Sequence, residues 1–195
     1  MTISMEQIKE LREKTGISIM QCRKALEDAG GDMEKAEVLL QKKGAEAAAK
    51  KSDRTLNAAR ITSYIHGLGT VGVLIELCSE SDFVSKHDDF QKLAYDIAMH
   101  IAAANPTYIK KDDVSLEDRT KVLDAFSDEV KDKPEAMREK ILAGKLDSFF
   151  KDKILLEQDY IKDPSMTVGN LIESAIQKFG EKIEVGNFVR FSTMK

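Results

Sequence analysis

Val71-Gly72-Val73-Leu74-Ile75 is a short, nearly continuous apolar run that reads as a buried strand. A long amphipathic helix follows closely, starting at Asp88, where Asp88-Asp89-Phe90-Gln91 has the acidic N-cap and the N3 Gln of a capping box. A strand tied so tightly to a helix leaves Ser79 to His87 as the connecting loop, and in its middle Asp82 stands beside Phe83. Loops run over the surface because their backbone polar groups would otherwise lack partners, so a Phe at that position needs a reason. Either it folds back as the N-terminal staple of the helix, or it is an anchor for a partner, with Asp82 setting charge and register. The residues alone leave both open.

The 195 residues have room for one ordinary domain, or for one domain and a small helical module. Hydrophobic content of 42% with 33% charged residues places the chain among soluble globular proteins and not among disordered ones. Every apolar run is too short for a membrane span. Met1-Thr2-Ile3-Ser4-Met5-Glu6 has no basic patch followed by an apolar stretch, so no signal peptide and a cytoplasmic location are expected. Cys22 and Cys78 lie among apolar residues with no Cys-x-x-Cys pairing and read as small buried hydrophobes. The net charge of −4, and a nearly neutral N-terminus with 10 Lys/Arg against 9 Asp/Glu in residues 1–51, argue against a phosphate-tracking surface. No direct nucleic-acid or membrane partner is expected.

The first 44 residues read as three short helices. Ser4-Met5-Glu6-Gln7 and Ser18-Ile19-Met20-Gln21 fit capping boxes, and Gly16, Gly30-Gly31 and Gly44 are placed to end the helices. Met5, Ile8 and Leu11, then Ile19, Cys22, Leu26 and Ala29, then Met33, Ala36 and Leu40 recur at helical spacing and predict a small core. Residues 45–58, rich in Ala and charge, read as a helical or frayed linker. A hairpin follows, with Ile61, Ser63 and Ile65 alternating before the Gly67-Leu68-Gly69 turn, and Val71 to Cys78 returning as its second strand. The helix after the loop buries Phe90, Leu93, Ala94, Ile97, Ala98 and Ile101, and ends before Asn105-Pro106. Ser115 opens another helix, running towards Lys131; Pro134 suits a helix start and Gly144 a stop. Residues 145–163 show no clean periodicity. Thr167 caps a helix closed by Gly180, and Ile183 to Phe191 reads as a strand with a bulge at Gly186-Asn187. Joining that strand to the hairpin makes the body a single α+β domain.

No catalytic constellation is visible. His66, His87 and His100 lack the spacing of a zinc site, and there is no phosphate loop, nucleophile elbow or dinucleotide fingerprint. At 33% charge, a chance pair of carboxylates is expected and names no general acid. The chain reads as a non-enzyme, with no metal and no cofactor. A protein-docking adaptor fits these features, and nucleic-acid binding through the first helices fits them less well.

Two motifs then carry a resemblance. Leu11-Arg12-Glu13-Lys14-Thr15-Gly16 through Met20-Gln21-Cys22-Arg23-Lys24-Ala25-Leu26, followed by Gly31-Asp32 and Lys43-Gly44, is the first; Glu76 to Lys86, with Asp88 to Ala104 after it, is the second. Lys140 to Leu146, Leu155-Leu156-Glu157-Gln158 and the closing strand extend the match over nearly the whole chain. The sequence resembles the elongation factor Ts family, exchange factors that remove GDP from elongation factor Tu. The resemblance implies a ubiquitin-associated-type three-helix domain over residues 1–51, with the linker to about 58, and an α+β core and dimerisation domain over residues 59–195. It implies that Ser81, Asp82, Phe83 and Val84 push between two helices of the Tu nucleotide domain and disturb its magnesium site, which favours the anchor for Phe83. It further implies a second contact with Tu through Leu11, Arg12, Ile19, Met20 and Arg23. Ser81 stands where the family usually has Thr, Cys78 where Asn is usual, Ile19 where Met is typical, and Arg23 where Lys is typical. Longer members carry a second core subdomain and a coiled-coil insertion, for which this chain has no room, so a homodimer is expected to supply the missing contacts.

Overall fold

The computed structural model describes residues 3–131 and 134–193; Met1 and Thr2, part of the stretch read above for a leader, lie outside them. Three helices come first: α1 (Met5–Thr15), α2 (Ile19–Asp28) and α3 (Met33–Ala49). The Ser4 box is complete, with Ser4 and Gln7 each accepting the other's backbone N–H. Ser18 accepts from Gln21 N, while the return bond of a full box is not formed. Ile8, Leu11, Ile17, Cys22, Ala25, Leu26, Ala36 and Leu40 close the small core. Met5 and Ile19 were expected in it but are exposed. Each is the first residue of its helix, where the chain has not yet turned its apolar face inward, and Ile17 from the intervening turn fills the space instead.

Gly44 does not end α3. The helix continues to Ala49, because Ala45 to Ala49 are strong helix formers and because Gly44 is buried against another helix. The expected linker therefore begins as helix and only then turns.

The body is α+β. β1 (Ala58–His66), β2 (Val71–Ser79) and β5 (Ile183–Ser192) form a three-stranded antiparallel sheet in the order β1-β2-β5. Val71, Val73, Ile75 and Leu77 of β2 face inward onto α5 (Asp88–Ala104), which buries all six residues expected from its periodicity. Burial of such side chains stabilises by about 1.5–3 kcal/mol each. The helix starts at Asp88 as expected, but its N-cap is His87 and not an aspartate: the His87 Nδ1 accepts from Asp89 N at 3.1 Å. The bulge lies where expected, since Glu76 opposes Asn187 and Leu77 opposes Val185, leaving Gly186 as the extra residue. A Cβ there would stand 2.7 Å from Glu76 Oε2 and 2.8 Å from Cys78 Sγ.

Between α5 and β5 run α6 (Leu116–Ser127), α7 (Glu135–Lys151), the short hairpin of β3 (Asp159–Tyr160) and β4 (Asp163–Thr167), and α8 (Val168–Phe179). Gly144 does not stop α7, which runs on to Lys151 because Leu146 and Phe150 pack with Val114 and Ile154 in a small third cluster. The stretch without clean periodicity is thus helix end, a 3-10 turn at Leu155–Glu157 and a hairpin.

That hairpin hangs on a buried histidine. Ile161 N–H donates to His100 Nδ1 at 3.3 Å, so Nε2 carries the proton and donates to Gln158 Oε1 at 2.9 Å; Gln158 Nε2 in turn donates to Asp152 O at 2.6 Å. Burial pushes the His100 pKa down, outweighing the opposing Gln158 bond. Tyr160, whose ring lies 6.1 Å away, stays neutral because burial raises its hydroxyl pKa. A folded-state pKa below the unfolded value means stability that is intact above about pH 6.5 and lost as pH falls through the folded pKa. Unfolding free energy measured between pH 8 and 5 should fall below about pH 6.5, by up to about 1.4 kcal/mol per pH unit. His100→Gln should flatten that slope, and an equally steep slope in the variant would assign it elsewhere.

Candidate functional site

The loop after β2 holds a single helical turn, α4 (Asp82–Ser85). Ser81 caps it, accepting from Val84 N at 3.4 Å, and Ser85 Oγ donates to Asp82 O at 3.2 Å. Ahead of it, buried Ser79 donates its hydroxyl to Ser81 O at 3.0 Å.

The turn is clamped from the far end of the chain. Glu181, just after α8, accepts from both Ser81 N (3.0 Å) and Ser81 Oγ (2.6 Å). In the reverse direction Glu80 Oε1 accepts from Lys182 N at 2.5 Å and pairs with Arg54 at 3.1 Å. The Lys182 N–H, followed by Arg54, holds the Glu80 carboxyl below its usual range. Two carboxylates, one on each turn, therefore cross-link the β2–α4 turn and the α8–β5 turn. Nothing in the sequence signals this pairing across about a hundred residues. It follows from β5 returning beside β2, with Ser79 opposite Ile183.

Within this frame α4 divides its residues. Val84 is buried at 3% exposure and belongs to the main core, whereas Phe83 is 80% exposed. The staple position is occupied by other rings: His87 meets Phe179 edge-on at 5.4 Å, and Phe179 meets Phe90 at 6.1 Å. Phe83 does not fold back. Asp82 is exposed and, among the described residues, pairs with Lys86 at 3.0 Å, a surface contact worth about 0.3–0.5 kcal/mol. Of the four loop residues named from the sequence, Phe83 and Asp82 face solvent, Ser81 is half-buried and serves the clamp, and Val84 is core.

On the N-terminal helices Met20 is 81% exposed, and Arg12, Ile19 and Arg23 are also at the surface. Leu11 is fully buried, which corrects its expected place in a contact surface: it supports the other residues from inside the three-helix core. Among the described residues no group of three His, Cys, Asp or Glu is placed to hold a metal. His66 lies 3.0 Å from the Tyr64 hydroxyl, His87 is the α5 cap, and His100 is buried on Gln158. No helix among the described residues is long and apolar enough to cross a membrane.

A family model described as Elongation factor TS matches residues 18–195, which include the clamped turn, α5, α8 and β5. The chain belongs to the elongation factor Ts family. Elongation factor Ts of Thermotoga petrophila is 47% identical, over 98% of this chain and 96% of its own length. Elongation factor Ts of Herpetosiphon aurantiacus is 44% identical, over 98% of both chains. Elongation factor Ts of Koribacter versatilis is 46% identical, over 98% of this chain and 88% of its own. Each of these elongation factor Ts relatives aligns over nearly the whole of this chain.

Ser81→Ala removes both the α4 cap and one arm of the clamp. Its cost should be about 1–2 kcal/mol in denaturant unfolding. Ser81→Thr keeps the hydroxyl and should recover most of that loss; equal loss in both variants would show that the hydroxyl does not matter.

Proposed function

We propose that this chain is a guanine-nucleotide exchange factor that binds elongation factor Tu carrying GDP and promotes GDP release by disturbing the magnesium site, so that GTP can load. The observation that carries the proposal is Phe83: a large apolar side chain held 80% exposed on a turn whose neighbours Val84 and Ser85 are buried. Leaving a Phe in water gains nothing for the isolated protein, whereas a clamped turn keeps it ready for insertion without an ordering cost on binding. Asp82 beside it supplies charge, and Ser81 and Val84 hold the turn from behind.

Exchange of this kind is a coupling between two ligands. If the factor binds Tu more tightly when GDP and magnesium are absent, it must weaken GDP by the same factor. An inserted Phe separates a helix pair, and displaced helices carry magnesium-ordering groups with them. The chain itself forms and breaks no covalent bond, so in this proposal it is not an enzyme, and it works in the cytoplasm beside Tu. Residues 1–51 act as a three-helix domain that makes a second contact through Arg12, Ile19, Met20 and Arg23. Residues 59–195 act as the core and dimerisation domain.

The dimer has a candidate face. The side of the sheet away from α5 exposes Ile61, Ile65, Leu74, Val189 and Phe191 together on three paired strands. Monomers rarely expose contiguous apolar patches of that kind, and a second copy would cover it symmetrically.

Release of a fluorescent GDP analogue from Tu should be strongly accelerated by the parent chain. Phe83→Ala should lose about 30-fold of that acceleration or more at limiting factor, from a hot-spot loss of about 2 kcal/mol. A variant that keeps pace would remove Phe83 from the mechanism, and an inactive parent would remove the exchange function. Light scattering at tens of micromolar should give twice the chain mass of 21.8 kDa, with Phe191→Asp reverting to one copy. A parent at 21.8 kDa would sink the dimer.

A further inference from the structure

Helix α8 has two faces with different neighbours. Val168, Ile172, Ala175 and Ile176 are buried in the main core. The opposite stripe meets the N-terminal helices at successive levels. Glu173 lies against Gly44 of α3, so closely that a Cβ on Gly44 would stand 3.3 Å from Glu173 O and 3.4 Å from its carbonyl carbon. One turn further on, Gln177 Nε2 donates to Gln21 Oε1 of α2 at 2.8 Å. Beside it, Lys178 reaches the α1–α2 turn, where a Cβ on Gly16 would sit 3.5 Å from its Nζ. The same ammonium pairs with Asp89 Oδ2 at 2.8 Å, in the first turn of α5 and just after α4.

Helix α3 also belongs to both cores. Ala36 and Leu40 are buried among the N-terminal helices, while Ala47 and Ala48 pack against the main core. Seventeen residues of helix make a stiff rod of about 25 Å, and Gly44 sits where it changes allegiance. The seam carries two local costs. A helix-interior Gly is less favourable than Ala, and Gln177 Oε1 is buried with no hydrogen-bond partner among the described residues. Both follow from bringing the two helix backbones this close.

We propose that Gly44 and Gln177 form a positioning lock, fixing the three-helix domain on α8 so that Met20 and Phe83 meet Tu as one rigid two-point clamp. The inference rests on the exchange function proposed above and names what makes its two contacts act together. With the seam closed, engagement of one patch presents the other at high effective concentration, a gain that reaches 10²–10⁴-fold in affinity without any new contact. With the seam open, both patches survive and that gain is lost. The lock therefore governs how much factor is needed, and Phe83 governs how fast GDP leaves once the complex has formed.

The test is GDP release from Tu titrated with full-length variants, reading the plateau rate and the half-saturating concentration separately. Gly44→Val should raise half-saturation about tenfold or more with a plateau within about twofold of the parent. Gln177→Lys opens the same seam from the α8 side, should behave alike, and carries the test if Gly44→Val does not fold. Gly44→Ala needs its neighbour to give by only tenths of an ångström, and should stay within about threefold of the parent. Met20→Ala should raise half-saturation in the parent and add nothing in the Gly44→Val background, where the two contacts no longer act together. Unchanged half-saturation in both seam variants, a plateau that falls with them, or additive Met20→Ala and Gly44→Val effects would each overturn the lock. A parent that fails to accelerate release at all would instead overturn the exchange function, and Phe83→Ala, which lowers the plateau, tells the two apart.

Discussion

The pairing of β5 with β2 is the interaction on which the rest of the molecule depends. It covers the second side of the central strand and completes the inward row of Val71, Val73, Ile75 and Leu77 that packs on α5. It also brings the residues just before β5 alongside those just after β2. Glu181 then reaches Ser81, and Glu80 reaches Lys182, in a reciprocal exchange of backbone N–H and carboxylate. Sheet formation and shaping of the exposed turn are one event. A single helical turn would not persist alone, because fixing its dihedrals costs more than one or two hydrogen bonds return.

Two of the apolar features left in water among the described residues differ in kind. Phe83 is one ring on a narrow turn, the shape of something that enters a crevice. The outer sheet face, with Ile61, Ile65, Leu74, Val189 and Phe191, extends across three paired strands. A patch built from paired strands can be self-complementary about a two-fold axis, whereas a lone protrusion needs a partner with a recess. The same domain thereby carries two exposed apolar features of different shape, one spread over paired strands and one confined to the turn after β2.

Local periodicity and punctuation made much of this legible in the sequence. The six buried positions of α5, the hairpin, the capping of α1 and α8, and the bulge at Gly186 are written in spacings of a few residues. What escaped depends on contacts between distant segments. Gly44 and Gly144 look like helix ends because Gly is the usual terminator, yet helix continues through both, Gly44 because it faces the backbone of Glu173. Leu11 and Val84 sit inside functional-looking motifs and are core residues, since a motif records which residues travel together and not which way they point. The cap of α5 falls on His87, one residue before the expected aspartate, because an imidazole nitrogen can cap as an aspartate does. The Glu181 clamp had no local signal.

The sequence separation of that clamp sets an order of assembly. The three-helix core closes from residues near one another in the chain, and α5 can meet the β1–β2 hairpin soon afterwards. The bond from Ser81 to Glu181 spans 100 residues, and that from Glu80 to Lys182 spans 102. Contacts at such range form late, because loop closure must be met before they return anything. During synthesis from the N-terminus, the turn bearing Phe83 leaves the ribosome long before the residues that fix it. A nascent chain therefore holds its N-terminal helices folded while the turn is still free to move, and gains its final surface only once its last strand has docked.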